Sequence, residues 1–170
     1  MACRFEPLDT SRHDRAGFHS AVGALNIYLQ QQARKDVERF LAATFVMVDE
    51  AAPTVIVGFY SLSNFTIELG DLSANLAMRL PRYPRLPATL IGRLARDERF
   101  PGTGELLLAD ALTRAYGQTS ISGSIAVVAE AKNDTALRFY HKHGFLQLGA
   151  EPNRVYLAMG TIEKLVRPGG

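Results

Sequence analysis

The sequence has a single cysteine, Cys3, and no tryptophan. One cysteine excludes an internal disulfide, so the chain is not a disulfide-held secreted scaffold and a reducing cytoplasm is the expected compartment. The longest apolar runs, such as residues 54–62, are too short to cross a bilayer, and no apolar segment follows a basic start. We therefore expect neither a membrane protein nor a secreted one.

What is present fits one globular domain with an unusual choice of cation. The 170 residues are 47% hydrophobic and 21% charged, and the formal net charge is +2. The basic residues are 15 arginines against 4 lysines, and arginine is the side chain that binds phosphate in a planar, bidentate way. Six arginines cluster between positions 79 and 99: Arg79, Arg82, Arg85, Arg93, Arg96 and Arg99. They indicate either an ordinary solvated surface or a face for a polyanion.

Hydrophobic periodicity predicts the element order β-α-β-β-β-α-β-α-β-β, an α/β domain on a mixed sheet over residues 1–165. Its first helix, with Ser20 as N-cap, carries apolar residues at Val22, Leu25, Leu29, Ala33 and Val37. A hairpin follows, and then an irregular segment with three prolines between positions 81 and 87. The last run, "RVYLAMGTI", is predicted as the second strand of a closing hairpin. Residues 166–170 are predicted to be a disordered tail.

A glycine turn in "ERFPGTGELLLADAL", residues 98–112, lies between a predicted strand and a predicted helix. Free N–H groups and the positive end of the helix dipole make such a turn a site for an anion. It is not a P-loop, because Glu105 and Leu106 follow Gly104 where a lysine and a hydroxyl are required. It is not a dinucleotide fingerprint, because Leu107 replaces the third glycine. A purely structural turn is the remaining alternative.

The turn reads R-x-x-G-x-G from Arg99 to Gly104 and resembles the signature of the GNAT superfamily of N-acetyltransferases. The resemblance implies a GNAT-like domain, with a mostly antiparallel sheet and helices on both faces. It also implies acetyl-CoA as the co-substrate. The turn residues Arg99, Gly102, Thr103 and Gly104 are then expected to hold the pyrophosphate. Backbone groups of Leu94, Ala95 and Arg96 are expected to face the pantetheine arm and the acetyl carbonyl.

The stretch "AKNDTALRFYHKHGF" after the next strand resembles a second GNAT pattern. It implies that Asn133 contacts the coenzyme and that Tyr140 lies beside the thioester sulfur. A phenol of pKa near 10 is a suitable acid for a departing thiolate. An ordinary N-cap and an ordinary surface aromatic are the alternatives for these two residues. No acidic residue inside the strand before the glycine turn, which contains Leu94 to Arg96, is an evident base, because Asp97 and Glu98 come only at its end. Water or Glu68 is left for that role.

Four further stretches resemble one GNAT branch, the acetyltransferase toxins of bacterial toxin–antitoxin pairs. They are "SAVGALNIYLQQQARKD", "TFVMVDE", "IVGFYSLSN" and "LPRYPRLPATLIGRLARD", and the resemblance spans residues 18–160. The chain departs from that branch at the turn itself, where the approach is shorter and Pro101 stands beside Gly102. The departure leaves the donors to the pyrophosphate open.

This branch acetylates the amine of aminoacyl-tRNA and so blocks translation. An α-amino group, with a pKa near 8, fits a site without an evident base better than lysine does. The resemblance further implies a ribbon-helix-helix antitoxin and a homodimer. The expected tRNA contacts are Arg34, Lys35, Arg79, Arg82, Arg85 and Arg93.

No metal is expected, because His141 and His143 are two apart on a predicted helix, face different directions and are expected to be solvent-exposed. Two alternative functions stay open. The chain is either a GNAT enzyme for a small amine or a protein N-terminus, or an inactive domain that binds coenzyme A or a partner.

Overall fold

The computed structural model describes residues 1–167. In this part of the chain, seven strands form one sheet in the order β1-β2-β3-β4-β5-β7-β6. The strands are β1 Cys3–Pro7, β2 Ala43–Asp49, β3 Ala52–Glu68, β4 Arg85–Arg96, β5 Ala126–Glu130, β6 Leu146–Gln147 and β7 Arg154–Ala158. β4 and β5 pair in parallel, whereas β1–β2, β2–β3, β5–β7 and β6–β7 pair antiparallel. The predicted mixed, mostly antiparallel sheet of an α/β domain is confirmed.

Within residues 1–167, six α-helices and two short segments of other helical types lie between the strands or after the last one. The helices are α1 Gly23–Ile27, α2 Ala33–Glu38, α3 Ala74–Ala77, α4 Gly104–Gln118, α5 Asp134–Lys142 and α6 Met159–Val166. A π-helical turn, Tyr28–Gln32, joins α1 to α2, and a 3₁₀ turn, Leu69–Asp71, follows β3.

The chain divides into two compact units, each with its own core. One consists of residues 1–63 and 92–111, and the other of residues 64–91 and the described residues after 111. The first core packs Phe18, Leu25, Tyr28 and Leu29 against Phe59 and its neighbours on β2 and β3. The second packs Ile67, Leu86, Val128, Leu148 and Tyr156.

In the first unit, helices lie on both faces of β3. Phe59 packs against Phe18, with ring centroids 5.5 Å apart, and stacks with Tyr28 at 6.4 Å. Gly58 and Tyr60, the neighbours of Phe59, face α4 instead. A Cβ on Gly58 would meet the side chain of Leu107, and Tyr60 hydrogen-bonds to Asp110. Because successive side chains of a strand point to opposite faces, the segment from α1 to α2 and helix α4 lie on opposite sides of β3.

The π-helical turn changes which residues of the first helix are buried. The periodicity predicts one continuous helix with Val37 on its apolar face. A π-helical turn inserts an extra residue and rotates everything after it, so Asp36 is 8% exposed and Val37 is 38% exposed. The predicted N-cap is also wrong, because the helix begins after Val22 and the Ser20 hydroxyl bonds to Asn26 at 2.7 Å.

Three other predicted boundaries differ from the structure. The final run was predicted as strand, but β7 ends at Ala158 and the apolar residues Met159 and Ile162 are buried by helix α6 at helical spacing. The segment predicted to be irregular contains the beginning of β4, since the strand starts at Arg85 and includes Pro87. In the predicted tail, Val166 is the last residue of α6, and residues 168–170 lie outside the described residues.

Helix α2 ends in a motif that normally requires glycine. The N–H of Leu41 donates to the carbonyl of Asp36 at 2.8 Å, and the N–H of Phe40 donates to that of Val37 at 3.1 Å. These are the two bonds of a Schellman motif, which places Phe40 at the left-handed position. Phe40 has a φ of 61° and its residue is 95% exposed, so burial of the ring does not offset the backbone strain.

We expect Phe40→Gly to raise the free energy of unfolding by about 1 kcal/mol, because glycine adopts positive φ without steric conflict. Thermal or urea unfolding measures the change. Arg39→Gly is the matched control. Arg39 has a φ of −96°, which any residue adopts, so glycine there should lower the free energy of unfolding. A loss of stability in Phe40→Gly as large as in Arg39→Gly would contradict this account of the motif.

Candidate active site

The glycine turn has the local geometry of an anion site. β4 ends at Arg96 and α4 begins at Gly104. Gly102 has a φ of +82°, a conformation that favours glycine. The Thr103 hydroxyl donates to the carbonyl of Phe100 at 2.8 Å, and the N–H of Leu107 donates to the carbonyl of Thr103 at 3.1 Å. The first N–H groups of α4 therefore point out of the helix at the positive end of its dipole.

A buried carboxylate, Asp97, fixes the approach to this turn. Its residue is 0% exposed, and its two oxygens accept hydrogen bonds from Nε and Nη2 of Arg99, both at 2.9 Å. The backbone N–H groups of Arg99 and His19 donate to the same carboxylate at 2.9 Å. Burial alone would raise the pKa of Asp97, but the bonds from Arg99 and the backbone lower it to about 2.

One edge of the Arg99 guanidinium is thus bound to the buried Asp97. Its Nη2 also donates to the carbonyl of Gly17 at 3.3 Å, and its side chain stays 55% exposed. The cation remains beside the turn, while the direct donors of the turn are backbone N–H groups. Pro101 has no N–H, so those donors begin at Gly102. Contact of Arg99, Gly102, Thr103 and Gly104 with a pyrophosphate remains a prediction.

The backbone of β4 divides its N–H groups between two sides. The N–H of Arg93 donates to the Ser61 hydroxyl at 3.1 Å, and that of Asp97 donates to the carbonyl of Val57 at 2.8 Å, so both face β3. By alternation, the N–H groups of Leu94 and Arg96 face away from β3. In the described part of the chain, the β4–β5 ladder ends at Ile91 and Ala129, before these residues.

Ala95 differs from its two neighbours. Its side chain belongs to the core of the first unit, and its carbonyl lies 3.0 Å from where a Cβ on Gly58 would stand. The geometry therefore favours Leu94 and Arg96 over Ala95 as backbone donors.

Tyr140 lies on α5 in the second unit. It is 5% exposed, and its ring packs against Phe139 and Phe145 with centroids 5.5 and 5.1 Å apart. Burial raises the pKa of the Tyr140 phenol, so the hydroxyl is protonated at neutral pH and acts as a donor rather than as a base. No described residue hydrogen-bonds to this hydroxyl.

Asn133 is the N-cap of α5, because its Oδ1 accepts the N–H of Ala136 at 2.9 Å. The capping alternative from the sequence is therefore real, and it leaves the Nδ2 amide as the group for any coenzyme contact.

His141 is exposed, but the expectation that His143 is also solvent-exposed is wrong. His143 is half-buried against the Phe139 ring, with ring centroids 4.9 Å apart.

The predicted RNA-binding residues fall into two groups. In the first unit, Arg34 and Lys35 are exposed on α2, whereas Arg93 stacks on the Tyr28 ring with its Cζ 3.9 Å from the centroid. In the second unit, Arg79, Arg82 and Arg85 are exposed between α3 and the start of β4. Arg34 pairs with Glu38 at 2.8 Å and Arg85 with Glu68 at 3.5 Å, both at the surface, where such pairs contribute little to stability.

Within residues 1–167 no three His, Cys, Asp or Glu side chains are grouped as a metal site requires. None of the helices described above has the length and apolar character needed to span a membrane.

Comparison with known proteins shows which family the chain belongs to. No family model matches it. It is 32% identical over 171 residues to the probable toxin TacT of Sinorhizobium fredii, which covers 95% of this chain and 93% of the relative. It is 27% identical over 155 residues to a tRNA-acetylating toxin of Mycobacterium tuberculosis, with 90% of each chain covered.

Solved structures agree over nearly the whole length. A tyrosine-to-phenylalanine mutant of KacT superposes with a TM-score of 0.88 at 27% identity, covering 97% of this chain and 99% of that one. AtaT complexed with acetyl-methionyl-tRNAfMet gives a TM-score of 0.87 at 24% identity, covering 96% and 99%, and supports the fold. The fold and these relatives thus define an acetyl-CoA-dependent N-acetyltransferase of the GNAT class. The chain belongs to the family of tRNA-acetylating toxins that includes TacT.

We expect Asp97→Asn to lower the free energy of unfolding by about 2 kcal/mol, because it removes charge-assisted hydrogen bonds from a buried site. It should also raise the KM for acetyl-CoA, since Arg99 and the turn lose their anchor. Because the folded pKa is about 2 and the ordinary value is 3.8, the stabilisation is complete above pH 3.8 and is lost as the pH falls through about 2. The variant should lack this acid dependence.

Unfolding at pH 2 to 7 and steady-state kinetics measure both effects. The control is Glu50→Gln, an exposed carboxylate in the turn between β2 and β3. An Asp97→Asn variant as stable as this control would contradict the anchoring role.

Proposed function

We propose that this toxin transfers the acetyl group of acetyl-CoA to the free α-amine of aminoacyl-tRNA and thereby blocks translation. The observation that carries the proposal is the anchored glycine turn, with outward N–H groups at the start of α4, in a chain of the TacT family. The turn holds the coenzyme pyrophosphate through Gly102, Thr103 and Gly104, with Arg99 contributing its charge.

In the reaction, the neutral amine nitrogen attacks the acetyl carbonyl carbon and forms a tetrahedral oxyanion. The N–H groups of Leu94 and Arg96, which face away from β3, donate to that oxygen. The C–S bond then breaks, and Tyr140 gives its proton to the departing thiolate. The amine loses a proton to water, which restores the phenol through solvent.

The buried environment of Tyr140 has two consequences for this role. Its raised pKa keeps the proton on the phenol at neutral pH, and the same shift makes the phenol a weaker acid than one of pKa near 10. An α-amino group next to an ester is largely neutral at cellular pH, so the step needs no strong base. Glu68, the alternative base, is exposed and pairs with Arg85, which favours water.

The acceptor arm of the tRNA is held through its phosphates by Arg34, Lys35, Arg79, Arg82, Arg85 and Arg93. Five of these six side chains are exposed. Their contacts are independent of sequence, so they position the tRNA without selecting its amino acid.

We further propose that the toxin acts in the cytoplasm as a homodimer and is neutralised by a ribbon-helix-helix antitoxin. AtaT has been solved with acetyl-CoA and the C-terminus of its antitoxin AtaR, and KacTA has been solved with DNA. A DNA-bound toxin–antitoxin pair supports an antitoxin that carries a DNA-binding fold. The alternative acceptors, a small amine or a protein N-terminus, would be acetylated without any dependence on charged tRNA.

We expect Tyr140→Phe to lower kcat by about 100-fold, because the thiolate then leaves without an acid. The dissociation constant for acetyl-CoA should stay unchanged, since the ring and its packing are kept. Stopped-flow acetyl transfer and calorimetry give the two values. Phe139→Leu is the control for disturbed packing of α5. A fully active Tyr140→Phe variant would remove Tyr140 from the mechanism.

We expect the double variant Arg79→Glu and Arg82→Glu to lower kcat/KM for charged tRNA by about 100-fold. The salt slope of tRNA binding, which is the slope of log K for binding against the logarithm of the salt concentration, should become smaller in magnitude by about 2. Acetyl-CoA binding should be unchanged. Lys164→Glu, an exposed reversal on α6, is the control. Unimpaired tRNA acetylation by the double variant would refute this part of the interface.

A further inference from the structure

The side chain of Arg93 stacks on an aromatic ring and is attracted by the nearby carboxylate of Asp36, with which it forms no salt bridge among the described residues. Its Cζ lies 3.9 Å from the centroid of the Tyr28 ring, and the residue is half-buried. No described residue accepts a hydrogen bond from its guanidinium. A stacked guanidinium keeps its N–H donors in one plane and ready for a planar or tetrahedral anion.

Tyr28 is itself held in place by a buried carboxylate. Its hydroxyl donates to Oδ2 of Asp36 at 2.8 Å, and Nε2 of Gln32 donates to Oδ1 of Asp36 at 2.9 Å. Burial and the bond to Asp36 raise the pKa of Tyr28 to about 12, so the phenol remains a neutral donor. A phenol that donates to a carboxylate is more electron-rich, which strengthens its attraction for the guanidinium above it.

The π-helical turn is what brings these groups together. In a regular α-helix, residues eight apart are displaced by about 80° around the axis, so Tyr28 and Asp36 would lie at opposite edges of one face. One extra residue in the turn Tyr28–Gln32 reduces that displacement to about 20°. The same insertion moves the Val37 side chain outward. The hydrogen-bonded Asp36 takes the buried position that a regular helix would give to Val37.

Arg93 does not face the coenzyme loop. It stands two residues before Ala95, whose side chain lies in the core formed with Tyr28 and Phe59. That core is on the face of β3 opposite to α4, whose first turn forms the pyrophosphate site. An anion that binds the Arg93 guanidinium is therefore a group of the acceptor substrate and not the pyrophosphate of the coenzyme.

We propose that Tyr28 and Asp36 are positioning residues that hold Arg93 for a phosphate of the acceptor RNA. The proposal rests on the proposed function and adds to it a site that is preformed in the free protein. Neither Tyr28 nor Asp36 touches the RNA in this account. Both act by fixing the plane and position of one guanidinium.

The test is a double-mutant cycle between Tyr28→Leu and Arg93→Gln, with the KM for charged tRNA and the KM for acetyl-CoA measured separately. Each single variant should raise the KM for charged tRNA about fivefold to tenfold, and the pair should do no worse than Arg93→Gln alone. The KM for acetyl-CoA should not change. Arg93→Gln should also reduce the salt slope of tRNA binding by about 1.

Conservative variants separate positioning from a structural role. Tyr28→Phe keeps the ring and loses the bond to Asp36, so it should raise the KM for charged tRNA only about twofold. Phe18→Leu, which removes another ring of the same core, should lower the melting temperature without changing either KM or the salt slope.

Three results would overturn the inference. They are additive effects of Tyr28→Leu and Arg93→Gln, a rise in the KM for acetyl-CoA instead of that for tRNA, and a Tyr28→Leu variant that behaves as Phe18→Leu does. A wild-type protein that acetylates no charged tRNA would instead reject the proposed function, so the two failures are distinguishable.

Discussion

The buried carboxylate of Asp97 is the group on which the position of the glycine turn depends. A charge removed from water must be compensated where it stands, and here four hydrogen bonds do so, two from the Arg99 side chain and two from backbone N–H groups. They tie the end of β4 to the segment around His19 and fix the direction in which the chain enters the glycine turn. Gly102 then supplies the positive φ that the turn needs before α4.

In the first unit, the helix after the glycine turn and the stacked Arg93 lie on opposite faces of β3. Gly58 and Tyr60 place α4 on one face, and Phe59 places the segment from α1 to α2 on the other. The glycine turn leads into the helix on the first face, and the stacked Arg93 belongs to the second. Under the proposed function, the coenzyme pyrophosphate and the RNA phosphate would bind on opposite faces of this strand.

Much of this could be predicted from the sequence, because the signals were local. The glycine turn, the strand before it and the helix containing Tyr140 follow from spacing and from a family resemblance. The phase of the first helix could not be predicted, since apolar spacing does not signal a π-helical turn or the buried Asp36, which bonds to Tyr28 and Gln32 in the same helical segment. The left-handed Phe40 was also hidden, because glycine is the signal for that position.

Some features of the site were missed for the same reason. The resemblance predicts that Arg99 binds the pyrophosphate. Nothing in "RDERF" indicates that Asp97 is buried or that it accepts hydrogen bonds from two nitrogens of Arg99. Helix α6 was read as strand because Val155, Tyr156 and Leu157 continue without a break into the apolar residues of the helix. Tertiary partners decide such cases.

The most direct test of the account is transfer of labelled acetyl from acetyl-CoA to total tRNA, compared before and after the amino acids are removed. The account predicts that label enters the charged tRNA as N-acetyl-aminoacyl ester, that mild base releases it, and that deacylated tRNA accepts none. Label on deacylated tRNA, or equal label on free amines without any tRNA, would contradict it.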